Sequence, residues 1–477
     1  MLYAPPFDKG ETVNALVAKI GPLLSALSRA PADLSTAEGR AQERLRRARL
    51  TTLAAMASKV ISVGTQLISV PLTLPYLGME RYGLWIVLST VVAMQSCVDL
   101  GIGSGILNQA AAAHGREDRR AVRVIASSGL IALMLPALLL WTGFMLSRDH
   151  VDWSALFQLT TPEAKRDIMP TLQVFACIFA LSIPANLVYR VQIGTQQGFR
   201  ASLWQCLGNA LMLPAILLVL WCDAGLPALV GVFVGMPVLA NLANTLLFFG
   251  WQSRDIRPSL GWLSWASIGQ ALRQGAAFMT VQTGNIVISV CVPMVITRVL
   301  GTAHVPEYAV PERLLALVVM LTSMYVQPLW PAYREALERG DGAWVARSYR
   351  RTLLQVIGAG GLVLALLGLA MPFILHIWVA DRVQPSAWLV AGLCLMKLGE
   401  ALVFVNAVAL SALEELRSQS IMAVLGAFAM TWGLAMICGR WGVVSIPWAG
   451  ALILAMALLM PGGWIIRRRL LGRYQEP

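Results

Sequence analysis

Charge is what this sequence has least of. Asp, Glu, Lys and Arg make up 13% of its 477 residues, about half the share that a water-facing globular surface carries. That shortage excludes a soluble globular protein. None of the lysines is followed by Ser or Thr, so no phosphate-cradling P-loop exists. The seven cysteines, Cys97, Cys177, Cys206, Cys222, Cys291, Cys394 and Cys438, sit within or beside apolar runs with no CxxC pair and no Cys/His spacing for zinc. They read as small buried residues. No His/Glu metal constellation, nucleophile elbow or loop long enough for a catalytic domain is present. Neither catalytic residues, cofactor nor metal is therefore expected, and the chain does not read as an enzyme. Residues 1–49 lack the order of a cleavable signal and end in the run Arg40, Arg44, Arg46, Arg47, Arg49.

What is abundant is apolar. Hydrophobic residues make up 57% of the chain and the mean hydropathy is +0.67. Runs long enough to cross a bilayer recur near 50–75, 82–107, 122–146, 169–193, 202–222, 227–250, 273–297, 306–330, 352–375, 386–411, 419–438 and 443–466. The fold class expected is an all-α polytopic membrane protein of about twelve spans. The net charge of +12 lies in short clusters between those runs, with no basic domain, which argues against a nucleic-acid partner. Loops after even-numbered spans, with the tail, hold roughly three times the basic residues of the others, which places both termini in the cytoplasm by the positive-inside rule. Ala15–Leu27 fits either a short amphipathic helix on the membrane or a disordered segment.

The two halves echo each other. A slide of 223 positions puts Leu77-Gly78 on Leu300-Gly301, and Lys59, Ser62 and Gln66 on Gln282, Asn285 and Ser289. In the first span Lys59, Ser62, Gln66, Ser69 and Thr73 follow helical spacing and form one polar stripe. Interhelical hydrogen bonding explains Ser and Thr stripes. A Lys and a Gln, with recurrence in the matching span, favour a cavity lining instead. The division expected is an extension at 1–49, an N-lobe at 50–272, a C-lobe at 273–466 and a tail at 467–477, with the substrate path between lobes.

Charged residues at bilayer depth must face protein or water. Lys59 and Asp99 lie at matched depth and are expected to pair. Lys397 and Glu400, spaced i, i+3, are expected to pair within one helix. Of the adjacent Glu312 and Arg313, one at least should face the lobe interface. Arg190, near a span end, is expected to snorkel. Gly101-x-Gly103-x-Gly105 has no preceding strand and reads as close helix packing, not a dinucleotide fingerprint.

The stretch from Pro71 to Val122 resembles the opening of the Wzx-type O-antigen and polysaccharide flippases, within the multidrug/oligosaccharidyl-lipid/polysaccharide flippase superfamily. Leu77-Gly78, Tyr82-Gly83-Leu84-Trp85 and Asp99-Leu100-Gly101-Ile102-Gly103 carry the resemblance. Leu300, Gly301, Tyr308, Arg313, Leu314 and Pro331 extend it into the second half. It implies a MATE-like fold of two pseudo-symmetric six-helix lobes that alternate in access. It also implies transport of a polyprenyl-pyrophosphate-linked oligosaccharide to the periplasmic leaflet of the bacterial inner membrane, with membrane lipids and a polysaccharide polymerase complex as partners. On that footing Lys59 and Arg313 are candidates for the anionic headgroup. Ser62, Gln66, Gln282, Asn285 and Ser289 are candidates for the path, and Asp99, Glu400 and Lys397 for ion coupling. A drug/cation antiporter of the same superfamily and a major facilitator transporter are the alternatives; a membrane glycosyltransferase would need an acidic catalytic loop or a large outside loop.

Overall fold

The computed structural model describes residues 37–327, 329–338 and 340–472, with the side chains of 276–290, of most of 37–49 and of a few single positions outside what is described. The segment Ala15–Leu27 also lies outside the described residues. No strand occurs among those described. The principal helices are α1 (Ala37–Ala93), α2 (Ile102–Gly115), α3 (Arg119–Ser147), α4 (Pro162–Ala185), α5 (Leu187–Gly194), α6 (Gly198–Trp221), α7 (Gly225–Leu247), α8 (Trp265–Leu300), α9 (Val305–Val326), α10 (Leu329–Glu338), α11 (Gly342–Gln355), α12 (Gly361–Val379), α13 (Ala387–Ala412), α14 (Leu416–Trp441), α15 (Ser445–Leu454) and α16 (Met460–Gly472). Single π-helical turns at Val356–Gly360 and Ala455–Leu459 join α11 to α12 and α15 to α16.

Ten helical segments among the described residues are long and apolar enough to cross a membrane. One local feature accounts for part of the difference from the twelve runs of the sequence. The segment Leu53–Val92 counts once at 40 residues, yet Lys59 and Val92 line the same cavity. In a straight helix they would stand about 50 Å apart at 1.5 Å per residue. The chain therefore folds back, and it does so at Gly78 (φ 73°, ψ 175°), a conformation that costs glycine little and other residues much.

Packing divides by height. At one end both halves share a core, in which Leu74, Tyr82 and Leu84 meet Val305, Tyr308 and Val310. Toward the other end two separate cores form. One joins Ile106, Leu133, Val188 and Phe248 of the first half; the second joins Val326, Tyr333, Val405 and Ile466 of the second. The arginine-bearing connections lie at this divided end, so the molecule closes on one face and parts on the arginine-rich face.

Helix α8 crosses between the halves. Its first turns pack on α2 and α3, and its last part packs on α14. The crossing is close because the contact residues lack side chains. A Cβ on Gly105 would stand 2.2 Å from the Ala271 carbonyl oxygen, and one on Gly275 would stand 2.3 Å from that of Gly101. The glycine run is thus a packing surface. Gly105→Ala or Gly275→Ala is expected to cost about 1–3 kcal/mol, the usual range for overpacking. Gly143→Ala, where a Cβ meets nothing within 4 Å, should cost nothing. Thermal unfolding of the three variants in detergent checks the contrast.

Candidate functional site

A cavity of about 560 Å³ lies where the two halves part. Helix α1 supplies Lys59, Ser62, Gln66 and Ser69 on one flank of Gly78, and Ser89 and Thr90 on the other; Asn209 comes from α6, and Glu312 and Arg313 come from α9. The expected stripe therefore enters the cavity for most of its length. It leaves at Thr73, which is fully buried and donates to the Ser69 carbonyl at 2.7 Å. Ser69 in turn donates to the Gln66 carbonyl at 2.8 Å, so the stripe's upper part satisfies itself along the helix. Gln282, Asn285 and Ser289 lie on α8, among the side chains outside those described.

Three charges line the cavity: Lys59, Glu312 and Arg313. Lys59 has no ion-pair partner among the described residues. Arg313 donates to the Tyr82 hydroxyl at 3.0 Å and sits 5.9 Å from that ring's centroid, so it spans from α9 to α1. Glu312 turns the other way, into the second half. Its carboxylate lies 2.5 Å from Lys397 Nζ, and that ammonium also donates to both oxygens of Glu400 at 2.9 and 3.0 Å. The expected Lys397–Glu400 pair is thus a three-membered network of two carboxylates and one ammonium. Glu312 faces the cavity at one end. At the other end Glu400 lines a second cavity, of about 430 Å³, with Gln327, Ser411 and Gln419. Sequence reasoning missed Glu312 as the third member. Its signal was available as an acid at similar depth in a neighbouring span.

The expected Lys59–Asp99 pair does not form. Asp99 accepts from the Gly101 amide at 2.9 Å and faces Arg190 Nη2 at 3.8 Å, within a polar pocket of about 230 Å³ that Gln95 and Asn186 also line. Arg190 accordingly turns inward to a buried acid instead of snorkelling. The reason is the break after Val98: the chain turns at Leu100 and Gly101, both with positive φ, and aims Asp99 into the first bundle, away from the cavity. Asn209, Ser89 and Thr90 are cavity residues that sequence reasoning did not single out; each is a polar residue within an otherwise apolar span.

Across the closed end, contacts run between halves. Gln158 donates to the Arg298 carbonyl at 2.6 Å, and the Thr302 hydroxyl donates to the Phe157 carbonyl. The loop that carries Phe157 and Gln158 is held down by buried Glu80, which accepts from the Thr160 amide at 2.5 Å and the Thr161 amide at 3.0 Å. That loop joins the two halves across the closed face.

Residues 51–336 match the model of the polysaccharide biosynthesis protein family. This chain belongs to that family. A Salmonella typhi protein named "Putative O-antigen transporter" is 21% identical over 304 residues, 63% of this chain and 67% of that protein. A protein of the same name from Salmonella typhimurium is 22% identical over 280 residues, 58% of this chain and 63% of the relative. Among solved structures, an inward-facing conformation of a multidrug resistance MATE family transporter of the MOP superfamily superposes with a TM-score of 0.72, at 15% identity, over 88% of this chain and 99% of that one. The fold is therefore MATE-like, and the protein is a multi-pass membrane protein of the polysaccharide biosynthesis protein family.

Proposed function

We propose that this family member is a flippase that moves a polyprenyl-pyrophosphate-linked oligosaccharide from the cytoplasmic to the periplasmic leaflet of the inner membrane, for assembly of O-antigen, capsule or exopolysaccharide. One observation carries the reading. The cavity's one acid, Glu312, shares the Lys397 ammonium with Glu400, a network one negative charge in excess. Two cations, Lys59 and Arg313, face the lumen with no carboxylate partner among the described residues and leave the balance positive. Such a cavity favours an anion. A sugar chain and a pyrophosphate cannot enter hydrocarbon without losing hydrogen bonds worth kcal/mol each, and the Ser, Thr, Gln and Asn lining replaces water along the path. The N-lobe at 50–272 and C-lobe at 273–466 alternate about this cavity, with both termini cytoplasmic, and Gln282, Asn285 and Ser289 of α8 are candidates for the same path. Outward movement of one negative charge across an inside-negative membrane gains about 2.3 kcal/mol per 100 mV. The Glu312–Lys397–Glu400 network, with Asp99 as a second candidate, couples transport to a cation. A polymerase complex is the downstream partner.

The test is complementation of a strain lacking the gene. Lys59→Ala should lower surface polysaccharide with unchanged protein level. Full complementation by that variant, or drug sensitivity instead of a polysaccharide defect in the deletion strain, would overturn the reading.

A further inference from the structure

Several arginines at the divided end have acid, carbonyl or ring partners. Arg119 pairs with Asp255 at 2.7 Å, Arg334 with Glu414 at 2.8 Å, and Arg123 bonds the Arg257 carbonyl and covers the Trp262 ring. Arg469 bonds Glu415, whose carboxyl is held below the usual range by the Ser418 hydroxyl and by that arginine. Arg347, Arg350 and Arg351 have no such partner among the described residues, as is also true of scattered arginines such as Arg116, Arg120 and Arg417, but the first three stand together. They share one face of α11 at i, i+3 and i+4, are exposed, line a common depression with Leu354 and Gln355, and have no ion-pair partner among the described residues.

Their platform is rigid. The opposite face of α11 buries Val345 and Thr352, and Tyr349 donates to Asn406 Oδ1 at 2.6 Å. Asn406 is itself buried and caps the Leu459 carbonyl at 3.0 Å, at the end of the π-turn of Ala455–Leu459. A satisfied buried network of this kind fixes the helix rotation, so the three guanidiniums are held outward together. Side chains three and four residues apart stand about 5–6 Å apart at Cβ, a spacing that lets their fork-shaped donors share one phosphate.

The same rod continues into the membrane. Gly342–Val379 is one segment of 38 residues, about 57 Å long, far more than the ~30 Å hydrocarbon core. Farther along it, α12 and α13 part around an apolar groove of about 750 Å³, with Ala365, Gly368, Leu375, Val390 and Ala391 among its walls and Val383 and Pro385 at its far end. Leu375 lies 24 residues beyond Arg351, about 36 Å along the axis. A phospholipid chain reaches only about half the core, roughly 15 Å, and cannot fill that end from a headgroup beside Arg351.

We propose that the outer surface of α11–α13 is a docking track for a single long-chain polyprenyl phosphate or pyrophosphate, its head on Arg347, Arg350 and Arg351 and its tail in the α12–α13 groove. The occupant follows from the two features together. The arginines select an anionic head, and the distance to the groove's far end selects a chain longer than one leaflet. This deepens the flippase reading and rests on it: the track would hold the lipid-linked cargo outside the cavity before entry.

The test uses the full chain in phosphatidylcholine nanodiscs, with undecaprenyl phosphate, farnesyl pyrophosphate and phosphatidylglycerol as probes read by native mass spectrometry. Undecaprenyl phosphate should bind at least about tenfold more tightly than phosphatidylglycerol, and the triple variant Arg347→Ala, Arg350→Ala, Arg351→Ala should erase that preference. Ala391→Trp, which fills the groove, should weaken undecaprenyl phosphate while leaving farnesyl pyrophosphate unchanged. Equal binding of undecaprenyl phosphate and phosphatidylglycerol would make the arginines a general anchor to acidic lipid and overturn the track. So would unchanged binding in both variants. In either case the flippase reading stands if Lys59→Ala still lowers export; normal export in Lys59→Ala defeats that reading instead.

Discussion

Lys397→Met is expected to remove most of the folded protein from the membrane. Lys397 is buried, and its ammonium is held between Glu312 at 2.5 Å and Glu400 at 2.9 Å. Removal of one partner from a buried ionic cluster costs about 3–5 kcal/mol, because the charges left behind have lost both water and partner. Here two carboxylates from α9 and α13 would be left facing each other. Total stability is only ~5–15 kcal/mol for an ordinary domain, so protein level and thermal unfolding in detergent should both fall steeply. Glu400→Gln should cost much less, since it leaves one ammonium on one carboxylate.

The same series separates structure from transport. The network carries one more negative than positive charge, and an uncompensated charge at bilayer depth is retained only where something uses it. Replacement of the whole network by Met at Lys397 and Leu at Glu312 and Glu400 should restore protein level, because apolar substitution of a buried cluster is often neutral or stabilising. Polysaccharide export should stay low in that variant. In Glu400→Gln the protein should be present, but export should no longer respond to collapse of the ion gradients by an ionophore. Normal, gradient-sensitive export from the all-apolar variant would reduce the network to a packing feature.

How much of this was legible in the sequence depends on what each residue's position rests on. The spans and the Lys59–Gln66 stripe follow from helical periodicity, which one strand of sequence displays in full. The Lys397–Glu400 contact is likewise local, set by i, i+3 spacing. Pairings between helices are set by rotation and by breaks in the helix, which periodicity does not report. Asp99 illustrates this. Depth alone matched it to Lys59, but the turn at Leu100 and Gly101 swings it to Arg190 in another helix. Glu312 was seen as a charge at the lobe interface, yet its partner lies 85 positions away, across a helix pair whose rotation only the packed structure fixes. The fold-back at Gly78 was visible as Leu-Gly in both halves. The twofold use of α1 on either side of one cavity was not, because it requires knowing that Ser89 and Lys59 meet the same space.

Lys59→Ala and Arg313→Ala should each reduce export about 10- to 100-fold at limiting substrate, the equivalent of about 1.5–3 kcal/mol per charge-assisted hydrogen bond to a phosphate. The two should nevertheless differ in kind. Lys59 has no ion-pair partner among the described residues, so its loss should leave the unfolding temperature unchanged. Arg313 ties α9 to the Tyr82 hydroxyl of α1 at 3.0 Å, so its loss also loosens the closed face. Tyr82→Phe discriminates between these effects. It keeps the ring under the guanidinium and removes only the oxygen, so it should shift the balance between closed and open forms while the charge remains for cargo. Because both cations face one cavity, the double variant should lose less than the sum of the single losses if they hold the same phosphate. Strict additivity would place them on separate parts of the path, and normal export in both single variants would leave the cavity without an anion to carry.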